Sequence, residues 1–307
     1  MSESEEEYTG KIRALPLWQG PVSMNRLPGG ITNRNYRVSD ASGSYVARLG
    51  EELPLLGVDR RNELACHRAA EELGVAPGVV HGGKGVLVSH YIESRTLTPD
   101  ETRQPDFFPR LAQVLRRLHD GWDGLTGEFL YFTPFMANRS YAATSRRIGA
   151  ILPETIDEFL QDDRTASRQI APFIPTLCHN DMLPANVLDD GNRVWIVDWE
   201  YAGIGHPLFD LAGISANCSF SAELDRDFLA SYRGWIEPRD LLELRILKTS
   251  SLLREALWSI VQTVASDLDF DYRAYADASL VRYQLARSER DATEEFVRQG
   301  VGRTASI

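Results

Sequence analysis

The spacing of hydrophobic and polar positions changes near residue 95 of the chain. Before that point, segments rich in Val, Ile and Tyr alternate with clusters of Gly, Asn, Asp and Ser, as in MNRLPGGITNRNYRV, SDASGSYVARLG and GVLVSHYI. Such segments are typical of short strands joined by turns. One helix is predicted among them, because apolar positions recur with helical spacing after Asp59 and stop at Gly74. This part of the chain therefore predicts a small antiparallel sheet with one helix.

After residue 95 the spacing is mainly helical. A stripe of apolar residues runs from Phe108 to Leu118, and long helical patterns return over residues 240–265 and 271–288. Between these patterns, the apolar segments 187–188 and 193–197 flank a turn, which predicts a hairpin. The whole pattern predicts an α+β fold with two lobes: a small lobe of antiparallel sheet over residues 1–94 and a larger, mostly helical lobe over residues 95–307.

Length and composition agree with such a fold. A chain of 307 residues is long for a single small core, and its longest apolar runs, such as GVLV and VWIV, have the length of strands. No membrane-spanning helix is therefore expected. The first residues, MSESEEEYTG, lack the basic and apolar parts of a secretory signal, so we expect residues 1–10 to be disordered and the protein to be cytoplasmic.

Charge and cysteine content disfavour several function classes. The formal net charge of −11 and the lack of a dominant Lys/Arg cluster argue against nucleic-acid binding and favour a small cationic partner. Cys66, Cys178 and Cys218 are far apart and show no metal-ligand spacing. We therefore expect buried thiols rather than disulfides or a zinc site.

The region of the hairpin carries the residues that indicate chemistry. In HNDMLPAN, Asp181 and Asn186 follow the spacing H-x-D-x-x-x-x-N of kinase catalytic loops, and Asp198 ends the strand where kinases place a magnesium-binding Asp. Asp181 can accept the proton of an attacking hydroxyl, and Asn186 and Asp198 offer the hard oxygen ligands that Mg²⁺ prefers. Glu200 is either a further metal or substrate ligand or a carboxylate at a helix start.

The sequence around these residues resembles a known family. HNDMLPANVL followed by IVDWEYAGIGHPLFDLA is similar to the choline/ethanolamine kinases, within the wider aminoglycoside phosphotransferase-like group. LPGGITNRNYRV resembles that family's phosphate-binding loop, VARLG its ATP-contacting strand, and LWSIVQ with DFDYRAY its substrate segment. The resemblance covers most of the chain. It implies a protein-kinase-like fold and phosphorylation of a small amino alcohol, choline or ethanolamine, with ATP and Mg²⁺.

The ATP site is expected in the small lobe. Gly29 and Gly30 allow the backbone to approach phosphate, and Asn33 is a polar neighbour. Arg48 stands where kinases have a lysine and can hold phosphate oxygens while it pairs with Glu63. The position of the segment between the lobes, and the resemblance, imply adenine contacts through the backbone of His90, Tyr91 and Ile92.

The resemblance also implies where the acceptor binds. Trp258 and Tyr275 fall where the family places aromatic rings around an ammonium group, and such a cation–π contact contributes up to about 2 kcal/mol. Choline-specific members tend to have a second Trp at the position of Glu255. A carboxylate there pairs with N–H donors, which suggests the hypothesis that ethanolamine or a related amine is preferred to choline. Asp181 and Glu200 complete the expected substrate contacts.

Other interpretations stay open. A kinase of the same fold can act on thiamine or an aminoglycoside, and Asp267, Asp269 and Asp271 supply the acidic side chains that an aminoglycoside pocket needs. A catalytically silent nucleotide-binding protein is a remote alternative, since it is expected to lack one of the catalytic-loop or metal residues. Asp210, in PLFDLA, is expected to have a structural role, either as a helix cap or as a support for the catalytic loop.

Overall fold

The structure, a computed structural model, describes residues 5–28, 33–83 and 85–304. Its small lobe contains a five-stranded antiparallel sheet and two helices. In chain order these elements are α1 (Glu5–Arg13), β1 (Ser23–Arg26), β2 (Arg34–Ser39), β3 (Ser44–Leu49), α2 (Arg60–Glu72), β4 (Val79–Gly83) and β5 (Val86–His90). The strands lie in the order β1-β2-β3-β5-β4, so that β3 is the central strand.

Helix α1 packs on this sheet. Ile12 of α1 is fully buried in a cluster with Tyr36 and other sheet residues, and Tyr36 Oη donates to Glu5 Oε1 at 2.7 Å. The prediction that residues 1–10 are disordered is therefore wrong for residues 5–10. Two effects favour the helix. Acidic residues occupy its first turn, where the helix dipole stabilises negative charge, and its apolar face covers the sheet.

Helix α2 joins the two lobes. It begins after Asp59, whose side chain accepts from the backbone N–H groups of Arg61 and Asn62 at 2.8 and 3.0 Å, as its capping signal predicts. The side chain of Asn62 then crosses to the large lobe, where Nδ2 donates to Ala202 O and Oδ1 accepts from Leu130 N, both at 2.8 Å. The position of α2 is thus set by polar contacts with both lobes.

The large lobe is mainly helical and contains two short sheets, so the predicted α+β arrangement is confirmed. Strands β7 (Thr176–Cys178) and β10 (Gly203–Gly205) form one sheet. Strands β6 (Arg95–Thr96), β8 (Val187–Asp189) and β9 (Val194–Ile196) form the other, in that order. The elements are β6 (Arg95–Thr96), α3 (Pro99–Thr102), α4 (Phe108–Asp120), α5 (Pro134–Ile148), α6 (Ile156–Ser167), β7 (Thr176–Cys178), β8 (Val187–Asp189), β9 (Val194–Ile196), β10 (Gly203–Gly205), α7 (Pro207–Asn217), α8 (Ala222–Arg233), α9 (Pro238–Ala265) and α10 (Tyr272–Thr304).

Helix α9 passes through the middle of this lobe and is buried on every side over residues 241–262. Apolar residues on all faces explain most of this burial. Charged residues on the same stretch need partners, and Lys248 Nζ donates to Asp225 Oδ2 at 2.9 Å and to Phe220 O at 2.8 Å. Arg254 and Glu255 also lie on this buried stretch.

The three cysteines are buried and free, as expected from their spacing. Burial raises the pKa of Cys66 to about 12 and that of Cys218 to about 11, so both are thiols at neutral pH. Over the described part of the chain, no helix combines the length and the apolar character that crossing a membrane requires.

The hairpin β8–β9 is anchored by a buried carboxylate at the end of β8. Asp189 accepts from Arg110 Nη1 and Nη2 at 2.9 and 2.7 Å and from Arg95 Nη2 at 3.0 Å. The hydrogen bonds from Arg110 lower the pKa of Asp189 from 3.8 to about 2. The ionised carboxylate therefore stabilises the fold at pH values above the pKa that Asp189 has in the unfolded chain. This contribution is lost as the pH falls through the pKa of Asp189 in the native state.

We expect Asp189→Asn to reduce the free energy of unfolding at neutral pH and to matter progressively less as the pH falls from about 4 to about 2. Urea unfolding at about pH 7, 5 and 3 measures this dependence. Asp106→Asn, at an exposed position, is the matched control and should change stability little at any of these pH values. A loss at pH 3 as large as that at pH 7 would contradict the assignment.

Candidate active site

A cavity of about 630 Å³ lies between the lobes. One part is apolar and is lined by residues that include Leu27, Val46, Leu87, Leu188 and Val197. The structure brings most of the predicted site residues to this cavity: Arg48, Glu63, His90, Tyr91, Ile92, Asp181, Asn186, Asp198, Glu200, Glu255, Trp258 and Tyr275. Gly29 and Gly30 lie outside the described residues, so their expected phosphate contact stays a prediction. An apolar cleft with a few converging polar groups is typical of a ligand site.

The predicted catalytic loop follows β7 and is held by Asp210. This carboxylate is fully buried, with Oδ2 accepting from His179 N at 2.9 Å and Oδ1 from Asn180 N at 2.7 Å. His119 Nε2 lies 3.0 Å from Oδ2. Asp210 lies inside α7 rather than at its N-cap, so its role is to support the loop. Potential ligand atoms of His119, Cys178 and Asp210 lie within 4.8 Å of one another, but both Asp210 oxygens already accept backbone N–H groups.

Within the loop, Asn186 is tied to Asp181. Asn186 Nδ2 donates to the backbone oxygen of Asp181 at 2.9 Å, and Val197 N donates to Asn186 O at 3.0 Å. Because Nδ2 is used in this bond, the side-chain oxygen of Asn186 is the atom that can bind a cation. The loop and the end of β9 are thereby fixed to one another.

Asp198 is a buried carboxylate with an oxygen that lacks a donor. Its Oδ1 accepts no hydrogen bond from the described part of the protein, and its backbone has a φ of 68°, in the left-handed region. Burial, and next the nearby Glu200 carboxylate, raise the pKa of Asp198 well above its usual value. A buried carboxylate oxygen without a donor fits a hard cation.

A network of charged and polar side chains links the small lobe to the metal candidates. Arg48 forms the expected ion pair with Glu63, and its Nη1 donates to Asn33 Oδ1 at 3.0 Å. Asn33 Nδ2 donates to Glu200 Oε2 at 2.9 Å. Arg60, at the start of α2, donates to Glu63 Oε2, Glu200 Oε2 and Asn33 Oδ1 at 2.8, 3.0 and 2.9 Å. Glu200 therefore lies between the lobes and not at a helix start.

Arg60 was not among the predicted site residues. Its side chain is 9% exposed and connects α2 to the segment that follows β9. A charged residue directly after a capping Asp is ordinary at a helix start, so the sequence carried no signal that distinguished it. Its role depends on contacts with Glu200, which is distant in the chain.

The other end of the cavity combines aromatic rings with charges. Tyr275 Oη donates to Glu255 Oε2 at 2.9 Å, and Trp258 Nε1 donates to Tyr201 Oη at 2.9 Å. Burial raises the pKa of Glu255, and the Glu255 carboxylate raises that of Tyr275. Arg254 Nη1 donates to Asp181 Oδ1 at 3.1 Å and to Glu255 Oε1 at 3.3 Å. The predicted acceptor residues therefore meet beside Asp181.

Arg254 and Tyr201 were also missed. The Arg254 guanidinium carbon lies 4.5 Å from the ring centroid of Tyr201, and its side chain is only 2% exposed. One sequence signal was available, since SLLREALW places an Arg-Glu pair inside an otherwise mostly apolar helical segment. A charged pair at buried helical positions is uncommon and indicates a functional or paired environment.

Known proteins are similar to this chain in sequence and in fold. A model of the family described as "Phosphotransferase enzyme family" matches residues 23–246. The chain belongs to this family. Among curated proteins, it is 27% identical to Protein LicA of Haemophilus influenzae, over 81% of this chain and 75% of that protein. It is 23% identical to human Ethanolamine kinase 1, over 94% of this chain and 74% of that protein.

Solved structures of this phosphotransferase family have the same fold. A choline/ethanolamine kinase family protein from Mesorhizobium loti is 30% identical, with a TM-score of 0.77 over 94% of this chain and 98% of that one. Choline kinase LicA from Streptococcus pneumoniae is 21% identical, with a TM-score of 0.73 over 94% and 99% of the two chains. The predicted resemblance to choline/ethanolamine kinases and the predicted protein-kinase-like fold are confirmed, and the protein is a phosphotransferase.

The support of the catalytic loop by Asp210 can be tested without any assumption about substrate. We expect Asp210→Ala to lower the free energy of unfolding by about 3 kcal/mol or more, because it leaves buried N–H donors without an acceptor. Urea unfolding measures the loss. Asp120→Ala, at an exposed position in the same lobe, is the control and should cost well under about 1 kcal/mol. Equal losses in the two variants would contradict the role assigned to Asp210.

Proposed function

We propose that this phosphotransferase moves the γ-phosphoryl group of ATP to the hydroxyl of a small amino alcohol. The observation that carries the proposal is the position of Asp181, which lies where the apolar cleft meets the pocket of Glu255, Trp258 and Tyr275. The names of the relatives support the same chemistry, since they include choline kinase LicA and ethanolamine kinases. A LicA structure in complex with AMP supports nucleotide use.

The residues present fit ATP and Mg²⁺ as the cofactors. The Asp198 oxygen without a donor and the side-chain oxygen of Asn186 would hold the metal, with Glu200 close to both lobes. When bound, Mg²⁺ neutralises phosphate charge and so favours phosphoryl transfer. Arg48 would hold phosphate oxygens, and the segment 90–92 would receive the adenine. The Arg48–Glu63 pair orients the guanidinium for this contact.

Asp181 would act on the acceptor. Its carboxylate lies between the nucleotide side and the amine side of the cavity, so it can orient the acceptor hydroxyl and take its proton as the oxygen attacks phosphorus. The backbone around it is held by Asp210 and Asn186, which limits its freedom to move. Positioning of this kind is a large part of catalysis in phosphoryl transfer.

Glu255 would determine which amine is preferred as the acceptor. Its carboxylate lines the cavity beside Tyr275 and Trp258, and it can accept hydrogen bonds from an ammonium group that carries N–H donors. A quaternary ammonium has none and depends on the aromatic faces alone. This supports a preference for ethanolamine or a related primary amine over choline. The aminoglycoside alternative loses support, because Asp267, Asp269 and Asp271 are exposed and are not among the described residues that line the cavity.

Two variants should separate the proposed roles of the carboxylates. Asp181→Ala should lower kcat by about 10³-fold or more with little change in the KM for MgATP, because orientation and proton transfer are lost. Asp198→Ala should raise the KM for MgATP and the Mg²⁺ concentration needed for half-maximal rate, because a metal ligand is lost. Steady-state ADP release measures both. An Asp181→Ala enzyme with wild-type kcat would refute the assignment.

A panel of acceptors tests the substrate. ATP consumption is measured with ethanolamine, choline, thiamine and kanamycin, and we expect ethanolamine to give the highest kcat/KM. Glu255→Trp should move the ethanolamine-to-choline ratio towards choline by about tenfold, because N–H acceptance is replaced by a cation–π surface. Glu255→Gln, which keeps the size of the side chain, should lower ethanolamine turnover without a gain for choline. An unchanged ratio in Glu255→Trp would reject the role of Glu255, and turnover of thiamine or kanamycin alone would reject the amine proposal.

A further inference from the structure

Arg254 is a buried guanidinium in direct contact with the proposed catalytic carboxylate. It lies on the buried stretch of α9, and its Nη1 is 3.1 Å from Asp181 Oδ1. The same nitrogen donates to Glu255 Oε1 at 3.3 Å. Its Nε is buried and has no hydrogen-bond partner among the described residues. A buried N–H group without an acceptor is costly, and a bound ligand can supply the missing acceptor.

The surroundings of Asp181 show what such a cation can do. The catalytic loop between Asp181 and Asn186 reads MLPA and carries no positive charge. On the small-lobe side, Arg48 and Arg60 already pair with Glu63 and Glu200. Arg254 lines the cavity beside Glu255 and brings positive charge to the side of Asp181 from which an acceptor would approach.

In the reaction proposed above, the acceptor oxygen forms a bond to the γ-phosphorus, and the bond from that phosphorus to the bridging β,γ-oxygen breaks. The bonding electron pair leaves with ADP, and the hydroxyl proton passes to Asp181. Negative charge is spread over the three non-bridging oxygens of the moving phosphoryl group. A cation hydrogen-bonded to Asp181 would lie next to the place where the attacking oxygen and these oxygens meet, if Asp181 takes the hydroxyl proton.

We propose that Arg254 is a further catalytic residue, which donates hydrogen bonds to the transferring phosphoryl group while it holds the Asp181 carboxylate in position. A guanidinium suits this task because its several N–H donors lie in one plane and can serve a carboxylate and a phosphoryl oxygen together. The proposal rests on ATP-dependent phosphoryl transfer at this site. It does not depend on which amino alcohol is the acceptor.

Charge in the acceptor pocket agrees with this role. Arg254 shares its Nη1 between Asp181 and Glu255, so both carboxylates are partly neutralised by one cation. Hydrogen bonds to a phosphoryl group would draw the guanidinium away from Glu255 and leave that carboxylate with more charge for an ammonium group.

Arg245 is a matched control on the same helix. It is also buried, and its Nη1 contacts Thr293 Oγ1 and, at 3.3 Å, Glu289 O of α10. Its side chain is not among those that line the cavity. The Nε atoms of both arginines are buried without a partner among the described residues, so removal of either takes a similar group from α9. Only Arg254 lines the cavity and contacts Asp181.

The test compares Arg254→Met, Arg254→Lys and Arg245→Met by kcat, KM and thermal unfolding. We expect Arg254→Met to lower kcat by about 10²-fold or more with less than about a threefold change in the KM for ATP, because the contact strengthens in the transition state. Arg254→Lys should recover part of the rate. Arg245→Met should keep kcat within about twofold, even where it lowers Tm as much as Arg254→Met does.

Added guanidinium ion gives a readout that a purely structural role would not produce. At about 10 mM, well below denaturing concentrations, guanidinium should restore part of the kcat that Arg254→Ala loses. It should leave the kcat of Arg245→Ala unchanged. Wild-type kcat in Arg254→Met, or a loss no larger than in Arg245→Met, would overturn the proposal. Absence of rescue combined with an inactive Arg254→Lys would also overturn it.

Hydrolysis of ATP in the absence of any amine separates this proposal from the proposed acceptor. Water then replaces the alcohol, and the same phosphorus–oxygen bond breaks. If the wild type hydrolyses ATP but uses none of the amines, the amine proposal fails while the effect of Arg254→Met on hydrolysis still tests Arg254. If amines are turned over and Arg254→Met hydrolyses ATP at the wild-type rate, Arg254 is not catalytic and the amine proposal stands.

Discussion

The pairing of buried charges across the cleft is the constraint on which the rest of the structure depends. Arg48, Arg60 and Arg254 lie between the lobes with little exposure, and each contacts at least one carboxylate. Removing such charges from water is costly unless geometry and hydrogen bonds compensate. The cleft therefore holds its charges in place before any ligand binds. When a phosphate or a metal ion binds, these side chains exchange one set of partners for another. This requires less reorganisation of the protein than forming the site only on binding.

Two kinds of support give these charges their positions. Asp181 and Asp198 lie just after the short strands β7 and β9, and the buried Asp210 of α7 fixes the loop backbone around Asp181. Arg60 at the start of α2 and Arg254 in the middle of α9 lie on helices, whereas Arg48 lies on the central strand β3. Asp181 on its loop thus meets Arg254 on a rigid helix. This division limits movement where the chemistry would occur.

Helix α9 contributes side chains to both halves of the cavity. It contributes Arg254 to the side of Asp181 and Glu255 and Trp258 to the proposed amine pocket, all within one buried stretch. Because the helix is packed on every side, these side chains keep fixed relative positions. In the proposed function, the amine pocket and the arginine beside Asp181 would therefore share one rigid helix, which would connect specificity for the amine to the rate of transfer.

Features that depend on neighbours in the chain could be predicted from the sequence. The spacing of Asp181 and Asn186, the strand that ends at Asp198 and the helical periodicities are local, and local patterns indicated the reaction and the α+β fold. The packing of the helix at residues 5–13 on the sheet, the contact of Arg60 with Glu200 and the contact of Arg254 with Asp181 could be found only from the folded structure. These contacts join residues that are distant in sequence, and their stability comes from burial and charge pairing, whose partners a local pattern does not specify.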